Sequence, residues 1–259
     1  MPSTAADARP PVFLCEPGQL GDGVVRLAGA EGRHAATVRR LAAGERVDVT
    51  DGAGMVAECV VVTARPGELE LAVRSRRRDL RPQPAVVAVQ ALPKGDRGQL
   101  AVELMTEAGL DVIVPWQAQR CVTRWREDKA ERGVARWRAT AREAAKQARR
   151  SWLPEVTGLA GTDEVLRRAS GAALALLLDP GAPAALSAVP LPASGEIVVI
   201  IGPEGGVTPA EAAAFTRAGA VPAHLGPTVL RASSAGVAAA AVLLSRCGRW
   251  ARAGEAGTR

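Results

Sequence analysis

Two glycine-containing loops in the second half of the chain have the residue types best suited to ligand chemistry. The first reads Ile200-Ile-Gly-Pro-Glu-Gly-Gly-Val-Thr-Pro and begins with the end of an apolar run typical of a buried strand. Glycines there let a ligand approach the backbone, and free N–H groups near a helix start favour a carboxylate or phosphate. A plain tight turn would use the same residues, so this loop alone leaves both interpretations open.

The second loop reads Leu225-Gly-Pro-Thr-Val-Leu-Arg-Ala-Ser-Ser-Ala-Gly and lies between a short predicted strand at 222–225 and an alanine-rich helix. Loops at the carboxyl ends of parallel strands meet at one edge of an open α/β sheet, where ligands bind. The two loops together therefore predict one shared ligand crevice rather than two simple turns.

The same residues argue against several enzyme classes. The chain has neither a G-x-G-x-x-G after a strand nor a G-x-x-x-x-G-K-[ST], the two commonest nucleotide-binding signatures. Ala232-Ser-Ser-Ala-Gly superficially resembles the nucleophile elbow of a hydrolase, but such enzymes need an acid and then a histidine downstream. No histidine follows Ser234 and the only later acid is Glu255, which argues strongly against a serine hydrolase.

The cysteines and histidines predict no metal site, because no C-x-x-C pair or other ligand spacing occurs among them. Reduced structural cysteines of a cytosolic protein are the expected interpretation. The N-terminus lacks a basic region followed by an apolar one, and the longest apolar run is too short to span a bilayer. We therefore expect no metal, no membrane segment and no export. The cysteines and histidines without metal-ligand spacing are Cys15, Cys59, Cys121, Cys247, His34 and His224.

The pattern of the chain changes near residue 80. Up to Arg78, short β-rich runs with turn signals predict a small antiparallel barrel with one helix near 31–41. Asp79-Leu-Arg-Pro-Gln-Pro is typical of a linker. Beyond it, apolar runs of strand length alternate with helical segments, which predicts a mainly parallel sheet covered on both faces. We predict a barrel domain at 1–80, a linker at 81–84, a second domain at 85–250 and a disordered tail at 251–259.

Two helices have clear sequence signals. Thr208-Pro-Ala-Glu offers a threonine N-cap, proline at the first helical position and glutamate at N3, so a helix should start directly after the first loop. Another helix is predicted from about Glu127 to Arg150. In it, positive residues recur every four positions and form what we call the basic stripe, namely Arg138, Arg142, Lys146 and Arg150.

Positive charge is concentrated around this second helix. The whole chain has a net charge of +6, whereas residues 120–150 contain eleven lysines and arginines against four acids, a net +7. A solvated helix face usually mixes both signs, so this one-sided run favours a phosphate-binding surface. The excess of arginine can also come from GC-rich codon usage, so composition alone leaves the partner open. A second basic cluster beside the linker consists of Arg74, Arg76, Arg77, Arg78 and Arg81.

Three further sequence motifs, considered together with the two loops, carry a family resemblance. They are Leu92-Pro-Lys-Gly-Asp-Arg, Thr106-Glu-Ala-Gly and Glu143-Ala-Ala-Lys-Gln-Ala-Arg-Arg. In this order and spacing, the set closely resembles the RsmE family of ribosomal RNA uridine-N3 methyltransferases, members of the SPOUT superfamily. The resemblance extends over about 12–244. Thr228 and Ser233-Ser234 stand where the family usually has Arg and Glu-Thr, and Gln119-Arg-Cys-Val stands where Glu-Arg-Ser-Val is common.

The resemblance implies an α/β protein with an N-terminal PUA-like β-barrel that helps to bind RNA. It also implies a C-terminal SPOUT α/β domain whose last strands and loops form a deep trefoil knot, an exception to the usual topology rules. The implied assembly is a cytoplasmic homodimer with the cofactor pocket near the subunit interface. The implied reaction is methylation, by S-adenosylmethionine, of N3 of uridine 1498 in the 16S rRNA of the 30S subunit.

The resemblance and the residue patterns together predict the site. We expect Arg231 to stabilise the anion that develops on the uracil ring. Cofactor binding is expected from Leu178, Ile201, Gly202, Pro203, Glu204, Gly205, Gly206, Leu225, Gly226, Val229 and Leu230. RNA binding is expected from Arg76, Arg77, Arg78, Lys94, Arg97, Arg120, Arg138, Arg142, Gln147 and Arg150. Two alternatives stay open at this point: a non-catalytic RNA-binding relative, and a methyltransferase of the same fold that acts on another RNA such as tRNA.

Overall fold

The computed structural model of the protein describes residues 10–21, 23–126 and 128–251. The chain divides into two units. The first contains the residues up to Arg81 together with Lys146–Leu153, and the second contains Pro82–Ala145 and the chain from Pro154 onward. The division between Arg81 and Pro82 falls within the segment that we predict as a linker, whereas the return of Lys146–Leu153 to the first unit was not predicted.

The first unit is built on a strongly bent sheet in the strand order β1-β3-β4-β5-β2. Neighbouring strands are antiparallel except for β1 and β3, which run parallel. Apolar side chains alternate along the strands and meet in one core that includes Phe13, Val49, Leu69 and Leu71. The strands are β1 (Val12–Leu14), β2 (Val24–Leu27), β3 (Arg46–Thr50), β4 (Met55–Arg65) and β5 (Glu68–Arg78), and helix α1 (Gly29–Arg33) continues as a π-helical turn, His34–Val38.

The returning segment Lys146–Leu153 is held to the first unit by backbone and side-chain contacts. Leu153 N donates to Gly52 O at 2.9 Å, and the indole Nε1 of Trp152 donates to Asp79 O at 3.1 Å. Lys146 Nζ lies 2.9 Å from Glu31 Oε1, with both side chains largely buried. These contacts explain why the second domain is interrupted rather than continuous from residue 85.

The second unit contains a wholly parallel sheet in the strand order β11-β9-β10-β6-β7-β8. The central strands β10 and β6 are apolar except for Glu196 and Gln90, as expected where helices cover both faces of a parallel sheet. The parallel pairing confirms the predicted arrangement. The strands are β6 (Ala85–Ala91), β7 (Val112–Trp116), β8 (Glu155–Val156), β9 (Leu174–Leu178), β10 (Glu196–Ile201) and β11 (Val221–Ala223).

Helices α2 to α5 of this part of the chain connect successive strands, and α6 follows the last strand. They are α2 (Arg97–Ala108), α3 (Asp128–Gln147), α4 (Thr162–Gly171), α5 (Pro209–Arg217) and α6 (Ala232–Arg246). The last residues of α3 belong to the first unit. Its predicted first residue, Glu127, and the predicted tail beyond residue 251 lie outside the described residues. In the described part of the chain, no helix is both long and apolar enough to cross a membrane.

Candidate active site

A cavity of about 480 Å³ lies at the carboxyl ends of β9, β10 and β11. Its walls are the loops that follow these three strands and the first turn of α6. Strands β7 and β8 lie on one side of β6, whereas β10, β9 and β11 lie on its other side. The strand order therefore reverses beside β6. Such a switch point is where open α/β sheets bind ligands, and the volume is in the range of small-molecule sites.

Most of the residues predicted to bind a cofactor line this cavity, and Arg231 lines it as well. The two glycine loops, which are far apart along the sequence, therefore form opposite parts of a single site, as their positions after parallel strands predict. The predicted residues that line it are Leu178, Ile201, Gly202, Pro203, Glu204, Gly206, Leu225, Gly226, Val229 and Leu230.

Gly205 is the exception, because it packs against Arg120 and does not line the cavity. Its carbonyl oxygen accepts a hydrogen bond from Arg120 Nη1 at 3.1 Å. A Cβ atom at position 205 would lie 3.3 Å from the Cβ of Arg120. Gly205 therefore packs against the Arg120 loop, and its expected contact with a cofactor stays a prediction.

Several lining residues were missed by the sequence analysis. Asp179 and Pro180 follow β9, and His224 follows β11. The rule that ligands meet the carboxyl ends of strands would have found all three, had it been applied to each strand. The Nδ1 atom of His224 is buried and has no hydrogen-bond partner among the described residues, which leaves it available to a ligand.

The loop after β10 is closed by the start of α5. Thr208 Oγ1 accepts a hydrogen bond from Glu211 N at 3.2 Å, and Glu211 Oε2 accepts from Thr208 N at 3.1 Å. This reciprocal capping box, with Pro209 at the first helical position, confirms the helix start predicted from the sequence. The cap fixes one end of the glycine loop relative to the sheet.

Arg231 ends the loop after β11 and is the N-cap residue of α6. Its backbone is extended, with φ −67° and ψ 151°, and its carbonyl oxygen accepts from Ala235 N at 2.9 Å. The backbone is fixed by the helix while the exposed side chain lies at the cavity. Ser233, in the first turn of α6, is instead buried, with 4% of its surface exposed.

The loops after β6 and β7 contact the glycine loop from the other side. Lys94 N donates to Glu204 Oε1 at 3.2 Å, and Thr123 Oγ1 donates to Pro93 O at 2.8 Å. Lys94 and Arg120, two residues predicted to bind RNA, are exposed on these two loops, and Arg97, also predicted to bind RNA, is exposed as the first residue of α2. They therefore belong to one surface next to the candidate cofactor loop.

The basic stripe does not form one exposed face. Lys146 is only 7% exposed and pairs with Glu31, and Arg142 and Arg150 are half-buried. Arg138 is exposed, with its Nε donating to Val156 O at 2.9 Å. The four-residue spacing places Arg138, Arg142 and Lys146 on one side of α3, but Arg150 lies beyond the end of the helix at Gln147. The packing of that side was not visible in the sequence.

The remaining residues predicted to bind RNA are exposed. Arg76, Arg77 and Arg78 are at the end of β5, and Gln147 ends α3. Arg77 Nε lies 3.1 Å from Asp79 Oδ1, an exposed pair that contributes little stability. These side chains are accessible to a polyanion.

All four cysteines are free thiols. Burial raises the pKa of the Cys15 and Cys59 thiols to about 11, and it also raises the pKa of Cys121 and Cys247. Thiols with raised pKa values are poor nucleophiles at neutral pH. Across residues 10–21, 23–126 and 128–251, no group of three or more His, Cys, Asp or Glu side chains is arranged to hold a metal ion.

Comparison with known proteins identifies the family. The RNA methyltransferase domain family matches residues 81–244, and the RNA methyltransferase PUA domain family matches residues 27–73. The chain is also 44% identical, over 232 residues, to ribosomal RNA small subunit methyltransferase E of Mycobacterium bovis, with 88% of each chain covered. The chain belongs to the ribosomal RNA small subunit methyltransferase E family.

More distant members of the family agree with this assignment. The Bacillus subtilis ribosomal RNA small subunit methyltransferase E is 29% identical over 217 residues, which cover 81% of this chain and 85% of the relative. The crystal structure of the Neisseria gonorrhoeae ribosomal RNA small subunit methyltransferase E bound to S-adenosylmethionine has a TM-score of 0.81 and 26% identity. That comparison covers 92% of this chain and 98% of the other.

Proposed function

We propose that this protein transfers a methyl group from S-adenosylmethionine to N3 of one specific uridine in 16S rRNA. The observation that carries the proposal is the cavity formed by the two glycine loops, with Arg231 beside it, in a member of this family. An enzyme with this substrate works in the cytoplasm, where ribosomal subunits are assembled.

The chemistry of the cavity fits S-adenosylmethionine. Apolar side chains such as Ile201 and Leu225 suit an adenine ring, and the buried Nδ1 of His224 offers it a polar contact. The carboxylates of Asp179 and Glu204 also line the cavity and complement the positive charges of the cofactor. The bound cofactor supplies a methyl group on an electrophilic sulfonium, so no metal is needed for the transfer.

Arg231 is the residue that we assign to the reacting base. Uridine N3 lies on the base-pairing edge and is protonated at neutral pH, so the base must be extruded and must lose this proton. An arginine that is fixed at the start of α6 can stabilise the negative charge that develops on the ring. Because this charge appears only as the proton leaves, Arg231 is expected to act mainly on the rate.

RNA binding is assigned to basic residues on both units. In the second unit, Lys94 and Arg120 contact the candidate cofactor loop, and Arg97 begins α2 three residues after Lys94. In the first unit, exposed arginines lie at the end of β5, within a chain whose net charge is +6. Phosphate contacts of this kind position the RNA, while the cavity selects the base.

We also propose that the C-terminal segment passes through a trefoil knot. Helix α6 packs against α2 and β6, which are early elements of the second unit. Arg246 Nη1 donates to Leu186 O at 3.1 Å and to Val189 O at 2.7 Å. A C-terminal helix that packs on early elements of its unit and is hydrogen-bonded to the segment before β10 supports this proposal.

A homodimer is the assembly that we propose. Val237, Ala238, Ala241 and Val242 are only half-buried on α6, and Val229 beside the cavity is 78% exposed. Apolar surface of this kind favours association. Sedimentation of the purified protein at several concentrations, with a Val242→Glu variant for comparison, measures the assembly directly.

One experiment tests the proposed reaction. The protein is incubated with methyl-labelled S-adenosylmethionine and, separately, with small ribosomal subunits, free 16S rRNA and tRNA, and the modified nucleosides are identified by mass spectrometry. We expect N3-methyluridine in 16S rRNA. Label in tRNA instead would point to another RNA substrate, and cofactor binding without any methylation would point to a non-catalytic relative.

A further inference from the structure

Glu211 is a buried carboxylate to which the reaction assigns no task. Only 2% of its surface is exposed. Its Oε1 accepts hydrogen bonds from Gln119 N at 2.9 Å and from Thr162 Oγ1 at 3.2 Å. Its Oε2 accepts from the backbone N and the Oγ1 of Thr208, at 3.1 and 2.9 Å. The capping box of α5 accounts for the contacts of Oε2 but not for those of Oε1.

Through its two oxygens, the Glu211 carboxylate connects two loops that are far apart in the sequence: Oε2 contacts Thr208 and Oε1 contacts Gln119. Thr208 ends the glycine loop, and Gln119 immediately precedes Arg120. Arg120 in turn donates from Nη1 to Gly205 O at 3.1 Å, within the same glycine loop. Glu211 and Arg120 therefore join the two loops at two points and form a closed ring of contacts.

We propose that Glu211 is a positioning residue that holds the Arg120 loop against the cofactor loop, so that RNA and cofactor meet in a fixed geometry. The inference rests on the proposed function, in which the cavity binds S-adenosylmethionine and Arg120 binds RNA. Glu211 is buried behind these loops and acts on RNA only through Arg120.

The donor pattern explains why a carboxylate is required. Each oxygen faces one backbone N–H, of Gln119 or of Thr208, and an N–H can only donate. Glutamine has the same size but one oxygen and one NH₂ group. Whichever way the amide is turned, it places its NH₂ against one of these backbone donors. Glu211→Gln thus preserves the packing but breaks one of the two connections.

A double-mutant cycle tests the proposal in the full-length protein. We expect Glu211→Gln to weaken the binding of 16S rRNA about tenfold, because a hydrogen bond to a buried charged group is lost. In an Arg120→Ala background the same change should have almost no further effect on RNA affinity, since Glu211 acts on RNA only through Arg120. RNA affinity is measured by filter binding and cofactor affinity by calorimetry with S-adenosylmethionine.

Glu164→Gln is the matched control. Glu164 is also an N3 glutamate that accepts from the backbone of its N-cap residue, with Gly161 N donating to its Oε2 at 2.7 Å, but it caps α4. This control should lower the melting temperature without changing RNA affinity. Thr208→Ala, which removes the hydroxyl contacts to Glu211 and Gln119 but keeps the carboxylate, is the second variant should Glu211→Gln fold poorly, and it should shift RNA affinity in the same direction.

Independent, additive losses of RNA affinity in the cycle would overturn the proposal, and so would an equal loss in Glu164→Gln. An Arg120→Ala protein that binds RNA normally would also overturn it. The proposed cofactor site is tested separately, by the effect of Gly226→Ala on S-adenosylmethionine affinity. If Gly226→Ala binds S-adenosylmethionine normally while the cycle is non-additive, Glu211 still acts on RNA through Arg120, but the cofactor binds outside this cavity.

Discussion

Gly226 and Gly205 occupy similar loops but have different surroundings. Gly226 lines the cavity with φ +145°, and a Cβ atom there would have no protein atom within 4 Å. Gly205 contacts Arg120 instead. The missing side chain therefore leaves space for a ligand at Gly226 and allows Arg120 to pack against the backbone at Gly205.

Gly226→Ala should weaken S-adenosylmethionine binding by about tenfold or more, because the added methyl group enters the cavity and the backbone conformation disfavours a side chain. Calorimetry on the folded variant provides the affinity. Gly205→Ala is the matched control: it should leave cofactor affinity nearly unchanged and should reduce RNA affinity by displacing Arg120. Weaker S-adenosylmethionine binding by Gly205→Ala, with unchanged RNA affinity, would instead place Gly205 in the cofactor site.

Arg231→Ala should lower the single-turnover methylation rate by about 100-fold or more, with much smaller changes in the affinity for either ligand. Raising the pH should partly rescue the rate, because more of the uracil is then already deprotonated. Arg217→Ala, which removes an exposed arginine that does not line the cavity, serves as the control. A normal single-turnover rate combined with weak RNA binding would make Arg231 a phosphate contact.

Among the elements, strands β3 and β4 bring two acids together. The register places Asp48 directly opposite Glu58. Burial, and then the negative charge of Glu58, raise the pKa of the Asp48 carboxyl above its usual value. The ionised form of Asp48 therefore lowers the stability of the barrel. This loss of unfolding free energy is complete at pH values above the raised pKa of Asp48 in the folded state. It disappears as the pH falls from that pKa to the usual pKa of an aspartate in the unfolded chain.

Asp48→Asn should raise the stability at pH 7 by about 0.5–1 kcal/mol, since like charges directly opposite each other are removed. The gain should shrink as the pH is lowered through the pKa of Asp48, where the natural side chain becomes neutral as well. Urea unfolding at several pH values measures both effects. In a Glu58→Gln background the gain should be smaller, and an equal gain there would exclude the role of Glu58.

On the scale of the whole molecule, the chain leaves the second unit at Ala145 and returns to it at Pro154. Between these points it is bound to the first unit, where Lys146 pairs with Glu31. A buried pair of this kind is costly to break because one charge is then left without its partner. Experiments on function therefore need the full-length chain, since either half alone lacks the contacts of this segment.

The net positive charge predicts that RNA affinity falls steeply as salt increases, through the release of counterions. Arg138→Glu combined with Arg142→Glu should weaken binding and lower the salt slope by about two phosphate contacts, with unchanged cofactor affinity. The control is Arg132→Glu with Arg136→Glu, the same charge change on another face of α3. Equal effects of the two pairs would mean that only total charge matters and that the basic stripe has no special role.

The sequence by itself determined most of the strands, the start of α5 and the edge of the sheet at which the candidate site lies. Apolar runs broken by glycine and proline predicted the strands, and Thr208 with Glu211 predicted the start of α5. The two glycine loops follow strands that the sequence predicts to be parallel, so both loops lie at the same edge of the sheet. These features depend on short stretches of chain whose chemistry acts locally, which is why they can be read residue by residue.

Tertiary structure alone decided which side chains face the cavity and which pack against other loops. It turned Gly205 toward Arg120, buried Lys146 beside Glu31 and gave Glu211 a second set of partners at Gln119. Each of these contacts joins residues that are separated by many positions in the chain. Their formation depends on how strands and helices pack, and periodicity along a single segment contains no information about the segment that will lie across from it.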